Sequence, residues 1–264
     1  MSILNFQRSQ LGMQITTNDE SDECINLEFL AQPIASSLEL DILGYEVLSS
    51  VSNNFGEVND AQAFFENIND ETIKAVFLAQ LATVNSIDRH KTGIKSPLMS
   101  LNLTLSCLED ERFIEAIVAM TIAPFAIEIN EHSLTTLNKR ALQNARKLQR
   151  LGHELWLDDY KPCNDAASRT LGTINWDRIK VDKTFLYKSI DNLTQITTLT
   201  RLLKRYSSKG VIVEGIESLY QRECVATDSV YIQGYLLGYP KTLWNREMLL
   251  EEGISLDAAI NKQS

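Results

Sequence analysis

The chain runs to 264 residues, 44% of them hydrophobic and 23% charged, with a formal net charge of −10. That is the composition of a globular protein with enough apolar residues for a substantial core, as one large or two small domains. The acidity argues against a nucleic-acid polymer as partner, because polyphosphate is repelled at long range. A small anionic ligand stays open where a bound divalent cation reverses the local field.

Residues 1–24, with the acidic cluster NDESDE, read as a polar, weakly ordered leader or as a short packed segment. The start MSILNFQRSQ has no basic head followed by a long apolar run, and no stretch reaches the ~18 apolar residues of a membrane span. Cys24, Cys107, Cys163 and Cys224 stand far apart without a C-x-x-C pair, as free thiols of a reducing compartment do. The expectation is a soluble, cytoplasmic protein with no membrane partner. Residues 25–260 contain no Pro- or Gly-rich linker and read as one domain.

Short β-like runs recur through that domain: LEFLAQPI, ILGYEVL, LMSLNL, FAIEI, ELWLD, RIKVD, VIVEG and SVYIQG. Between several of them the apolar residues take helical spacing, in AQAFFENINDETIKAVFLAQLATVNSI, SLTTLNKRALQNARKLQRLG and ITTLTRLLKRYSSKG. Gly152 and Gly210 read as the stops of the last two helices. Alternation of this kind predicts an α/β fold with a largely parallel sheet covered by helices. About eight strands in ~240 residues fit a closed (β/α) barrel better than the alternative, an open doubly wound sheet. No Gly-x-Gly-x-x-Gly or Gly-x-x-x-x-Gly-Lys-Ser/Thr loop is present.

Each run carries a polar residue at or near its C-terminal end: Glu46, Asn102, Glu128, Asp158 with Asp159, Lys180, Glu214 and Gln233. Strands simply meeting solvent would account for any one of these, and poorly for the set. Alternation puts Trp156 with Asp158, and Ile212 with Glu214, on one side of strands whose neighbours are apolar. In a (β/α) barrel these ends form the rim where active sites lie. Several carboxylates converging there would repel each other unless cations sat among them. Oxygen donors without Cys or paired His suit Mg²⁺ or Mn²⁺, and adjacent acids suit two ions. Two such ions about 3.5–4 Å apart activate a shared water and bind a phosphodiester's oxygens. Consecutive strand residues diverge, so Asp158 and Asp159 can serve neighbouring ions only where the strand turns.

From about Leu27 to about Pro240 the chain resembles the EAL-domain family, the cyclic-di-GMP phosphodiesterases. The matching pieces, in the family's order, are QPI, GYEVL for the signature Glu-Ala-Leu, LNLT, IEINE, LDD, KVDKTFL, VEGIES and YIQGYLLGYP. The resemblance implies a modified TIM (β/α)8 barrel with one antiparallel strand. It implies one metal held by Glu46, Asn102, Glu128 and Asp158, and a second by Asp158, Asp159 and Glu214. Lys180, Glu217 and Glu46 fall in the catalytic group, Gln32, Gln233 and Leu48 against the substrate, and Glu131 as the prop of the loop after the aspartates. The function implied is metal-dependent hydrolysis of cyclic-di-GMP to linear pGpG in bacterial second-messenger signalling, with a homodimer as the family's assembly. The alternative is a non-catalytic domain that binds cyclic-di-GMP or a regulatory protein partner.

Two departures bear on that choice. Where the family continues from the aspartates as Phe-Gly-Thr-Gly, this chain has Tyr160-Lys161-Pro162-Cys163-Asn164-Asp165, and the segment to Lys180 is one residue longer. Proline fixes its own φ and restricts Lys161, so the loop takes a different path, and in the family that loop couples the metals to the dimer contact. Ser50 stands where the family commonly has an arginine, which costs a ligand contact worth ~1.5–3 kcal/mol. Val47 in place of the signature alanine changes only a small apolar neighbour. His90, His132 and His153 read as surface or capping residues, Cys163 as an inert loop thiol, and NKRALQNARKLQR as a solvated helix face.

Overall fold

A computed structural model describes residues 3–8, 12–17, 24–86, 97–130, 138–162, 165–189 and 192–243. In chain order the strands are β1 (Ile3–Arg8), β2 (Gly12–Thr17), β3 (Cys24–Ser36), β4 (Ile42–Asn53), β5 (Val58–Asn59) and β6 (Leu98–Leu103). They continue as β7 (Ala126–Asn130), β8 (Glu154–Tyr160), β9 (Arg178–Val181), β10 (Val211–Val213), β11 (Val230–Gln233) and β12 (Lys241–Thr242). The helices are α1 (Ala61–Glu66), α2 (Asp70–Ser86), α3 (Glu111–Met120), α4 (Lys139–Arg150), α5 (Asp165–Thr170), α6 (Lys183–Ser189), α7 (Leu193–Leu203) and α8 (Leu219–Val225). None of them is long and apolar enough to cross a membrane.

The sheet closes. From β4 through β6, β7, β8, β9, β10 and β11 every neighbouring pair is parallel, and β3 joins the two ends by pairing antiparallel with both β11 and β4. This is an eight-stranded barrel with one reversed strand, and the open-sheet alternative is set aside. Its lower interior is filled by Ile34, Ala126, Trp156 and Ile212. Below them Arg178 lies 4.3 Å from the Tyr231 ring centroid and 3.3 Å from Glu154 Oε2. A larger apolar layer, including Phe77, Phe113, Phe125, Leu148 and Leu199, packs the helices on the outside.

Several sequence expectations change on contact with the structure. The helical run 61–87 breaks into α1 and α2, because Asn69 Oδ1 accepts the Thr72 N–H at 3.0 Å and starts the second helix afresh. Gly152 ends α4 as expected, with φ 97°. Gly210 does not end a helix: α7 stops at Leu203, and Gly210, at φ 113°, precedes β10 where a Cβ would lie 2.2 Å from Ser229 O. The segment read as a weakly ordered leader or as a short packed one supplies β1 and β2, a hairpin laid on β3, with Met13 and Ile15 in the core, as the second of those readings has it. Alternation explains it, since Met13 and Ile15 share one face of β2 and meet Leu27 and Ile25.

β3 and β4 pair from Ile25–Asn53 through Ala35–Ile42, whereas β6 follows β4 only over Gly44–Val47 and β11 follows β3 only over Ile34–Ser36. Their upper halves therefore rise past the barrel rim as an antiparallel extension that carries β1, β2 and β5.

Candidate active site

Lys180 lies at the centre of the barrel mouth, 1% exposed. Its Nζ stands 2.6 Å from Glu128 Oε2, 2.9 Å from Asp158 Oδ1, 2.9 Å from Glu214 Oε1 and 3.1 Å from Glu46 Oε2. These side chains arrive from β4, β7, β8 and β9 and from the residue just after β10, with Glu46 inside β4 next to Val47, where the parallel pairing with β6 ends. Register brings Asn102 beside Glu128 and Asn130 beside Asp158. Asn102 Nδ2 donates to Glu46 Oε1 at 2.9 Å, and Gln233 Nε2 donates to Glu46 Oε2 at 2.7 Å and to Gln32 Oε1 at 3.1 Å.

The aspartate pair converges through a bulge. Leu157 pairs with Ile179 and Tyr160 with Val181, so β8 spends one residue more than β9 over the same span. Asp159 takes the left-handed region at φ 55°, which a short polar side chain tolerates. The extra residue re-aims its carboxylate, and ligand oxygens of Asp158, Asp159 and Glu214 all come within 4.8 Å of one another. Asn130 Nδ2 donates to Asp159 Oδ2 at 3.0 Å. The divergent segment then continues as strand for one more residue: Tyr160 is buried, and its carbonyl accepts the Asp182 N–H at 3.2 Å.

Four carboxylates thus surround one ammonium with a fifth, Asp159, beside them, and their proton affinities register the imbalance. Burial, with the charges of Glu46 and Asp158 against it, pushes Glu128 well above the usual carboxylate range. Burial also raises Asp158, and it lifts Asp159 to about 7, with the Asp158 charge adding to the effect. Burial lifts Glu214 to about 8 against the pull of Lys180. Glu46 alone is lowered: burial would raise it, but Lys180 and the amide donors of Asn102 and Gln233 together outweigh that. Burial would lower Lys180, and the surrounding carboxylates raise it well above the usual lysine range.

This donor set fits hard divalent cations. Glu128 Oε1 is buried and accepts no hydrogen bond from the described side chains, so the oxygen is of the kind a cation would take. Glu46, Asn102, Glu128 and Asp158 could hold one ion, and Asp158, Asp159 and Glu214 a second, all through oxygen.

The remaining sequence-derived residues fall at different distances from this centre. Gln32 joins the network through Gln233, and Leu48, half-buried, follows Glu46 on the same face of β4. Glu217 is exposed and stands outside the carboxylate ring, where it accepts the Tyr187 hydroxyl at 2.9 Å. Glu131, Cys163, His90 and His132 lie outside the described residues. Ser50 is half-buried on the β4 extension, paired with Glu28. His153, expected at the surface or as a cap, is buried instead: its ring packs 4.2 Å from Phe125 and its Nδ1 accepts the Phe125 N–H at 3.4 Å. Asn130 and Asp182 escaped the sequence reading. Both sit two residues beyond a predicted site residue, Glu128 and Lys180, so the same alternation points to them.

Comparison with known proteins follows the geometry. A family model described as "EAL domain" matches residues 20–240. An uncharacterized signaling protein of Caulobacter vibrioides is 26% identical over 234 residues, 81% of this chain and 28% of its own length. The cyclic di-GMP phosphodiesterase PdeF of Escherichia coli is 26% identical over 171 residues, 61% of this chain and 23% of its own length. The chain therefore spans about a quarter of the length of these relatives. The FimX EAL domain of Pseudomonas aeruginosa, solved bound to c-di-GMP, superposes with a TM-score of 0.65 at 22% identity, covering 83% of this chain and 91% of that one.

Proposed function

The chain belongs to the EAL-domain family, and from that premise we propose that it is a metal-dependent phosphodiesterase that opens cyclic-di-GMP to linear pGpG in bacterial second-messenger signalling. One observation carries the reading: Lys180 is ringed by Glu46, Glu128, Asp158 and Glu214, with Asp159 beside them, a surplus of negative charge that side chains alone leave uncompensated. Mg²⁺ or Mn²⁺, two ions, would lower the pKa of a shared water and draw charge from the phosphodiester oxygens.

The chain's own residues supply the rest. Lys180 holds four carboxylates in convergence with its three N–H groups, and it would turn one of them to a water or phosphate oxygen only where bound ions took over part of that ring. Lys180, and after it Asn102 and Gln233 by donating to its two oxygens, favour the charged form of Glu46. Asn130 orients Asp159. Gln32, Gln233 and Leu48 line the substrate side, and Glu217 stands at the rim with Tyr187.

A second reading is a non-catalytic domain that binds cyclic-di-GMP or a regulatory protein partner. Ser50 and the Lys161-Pro162-Cys163 segment favour it, because one removes a charged ligand contact and the other puts a proline-restricted backbone where the family has its glycines.

One assay separates the two. Purified protein, stripped with chelator and returned to Mn²⁺ or Mg²⁺, is given cyclic-di-GMP while binding and cleavage are read together. Linear pGpG that disappears in Glu46→Ala is the expected result. Binding without product selects the second reading, and no binding alongside a copurifying protein selects its partner form. A homodimer, the family's assembly, is checked by light scattering on the same sample.

A further inference from the structure

We propose that one half of the barrel floor, the face opposite the mouth, is a peripheral contact for an anionic lipid surface. This face shares no residue with the phosphodiesterase site, and a contact of this kind needs no spanning helix.

Four strands bring the face together. β7, β8, β9 and β10 are consecutive parallel neighbours, so the loops that enter them, 121–125, 151–153, 171–177 and 204–210, lie together at the N-terminal end of the barrel. Hydrogen bonds join each loop to the next. The Glu154 N–H donates to Phe125 O at 3.0 Å, Gln149 Nε2 to Asn175 O at 2.7 Å, and the Ser208 N–H to Trp176 O at 3.0 Å. These four stretches read TIAPF, LGH, LGTINWD and KRYSSKG, with one carboxylate among them, Asp177. Its side chain is only 13% exposed, and Oδ2 accepts Gln149 Nε2 at 2.8 Å and the Leu155 N–H at 2.9 Å. The other half of the floor differs, since the loops entering β4 and β11 expose Glu39, Asp41 and Asp228.

α4 ends on this half and adds Arg146 and Arg150, both exposed, which with Gln149 and Asn175 line a hollow of about 380 Å³. Arg205 is exposed on the last of the four loops. Among the described residues none of these three arginines pairs with a carboxylate. Ile122 is 65% exposed and Leu151 52%, on loops that meet where a Cβ at Gly152 would lie 3.8 Å from Pro124 Cγ. Single exposed aliphatics are ordinary. Here they accompany unpaired cations on loops without an accessible acid, in a chain of net charge −10. A lipid surface answers both features: its phosphates take the arginines, and the boundary of its acyl region takes Ile122 and Leu151. A soluble acidic polymer would satisfy the arginines and leave the aliphatics in water. The carboxylates of the mouth stand at the barrel's other end, and salt limits the reach of exposed charge to about 8 Å, so the local face decides a close contact.

The test is co-sedimentation of the full chain with vesicles of phosphatidylcholine alone, or of phosphatidylcholine and phosphatidylglycerol in about equal parts. Wild type should pellet with the anionic vesicles and stay in solution with the neutral ones. Arg146→Gln with Arg150→Gln should lower the partition about tenfold or more, and Ile122→Ser about fivefold. Lys139→Gln with Arg140→Gln removes the same charge from the mouth end of the same helix and should follow wild type. All five positions are exposed, so the variants fold as wild type does. Wild type that ignores the anionic vesicles would overturn the inference, as would equal losses in the two double variants or an unaffected Ile122→Ser. Polyglutamate bound as tightly as the vesicles would also overturn it, by assigning the face to an acidic polymer.

Discussion

Lys180 Nζ stands 2.6 Å from Glu128 Oε2, and neither side chain reaches solvent. Buried pairs are costly to break from one side, because the survivor is left charged in a medium that does not solvate it. Lys180→Met should lower unfolding free energy by about 3–5 kcal/mol in chelator, measured by denaturant melts. Manganese should return more stability to the variant than to wild type, since it would replace a missing positive charge. Equal increments in the two proteins would show that ammonium and ion do not share these carboxylates.

Tyr160 occupies the place where the family's pattern has Phe before its glycines, and it is buried with its hydroxyl 3.4 Å from Ser168 Oγ. Tyr160→Ala empties that space and should cost about 3–5 kcal/mol, whereas Tyr160→Phe keeps the ring and should cost less than about 1.5 kcal/mol. Thermal or chemical melts of the two variants decide it. Similar losses would place the stabilisation in the hydroxyl contact instead of the packing.

His153 contributes a pH dependence with a definite sign. Burial lowers its pKa below the usual 6.5. The unfolded chain therefore takes up the proton first as pH falls. The stability it confers is complete above about pH 6.5 and is lost as pH drops toward the folded-state pKa, by up to about 1.4 kcal/mol per pH unit. His153→Gln should flatten that part of the stability curve between pH 7 and 5. A curve of unchanged slope would assign the acid sensitivity to other groups.

Ile15 is fully buried in β2, opposite Ile25. Ile15→Ala should destabilise the whole domain by about 2–5 kcal/mol, seen as a shifted midpoint for a single unfolding transition. A variant that melts like wild type would mean that the hairpin is an appendage to the fold.

The rim was legible because strands have a period of two and because carboxylates at the ends of apolar runs are conspicuous. Glu46, Asn102, Glu128, Asp158, Lys180 and Glu214 follow from that rule, and so does Asn130, which the neighbouring Glu131 overshadowed. The bulge was not legible. A lone Asp-Asp pair is compatible with a regular strand, and the left-handed turn at Asp159 uses no glycine to announce it. The strand keeps its pairing through Tyr160, whose ring is buried beside β9, and the substituted segment that follows runs into residues 163–164, outside the described residues. The N-terminal hairpin was obscured by composition: NDESDE dominates residues 1–24, while the short β2 stretch GMQITT carries the only two side chains there that the core takes up, among the described residues.

Closure of a barrel normally leaves no strand with an open flank. Here the overshoot of β3 and β4 restores open flanks, among the described residues at β1, at β5 and at the two-residue β12. β5, two residues long, offers little template for another chain, but β1 offers six residues with no proline among them. Self-association under partial denaturation should therefore begin at this hairpin and spare the closed wall, which places the molecule's solubility and its chemistry under separate parts of the same chain.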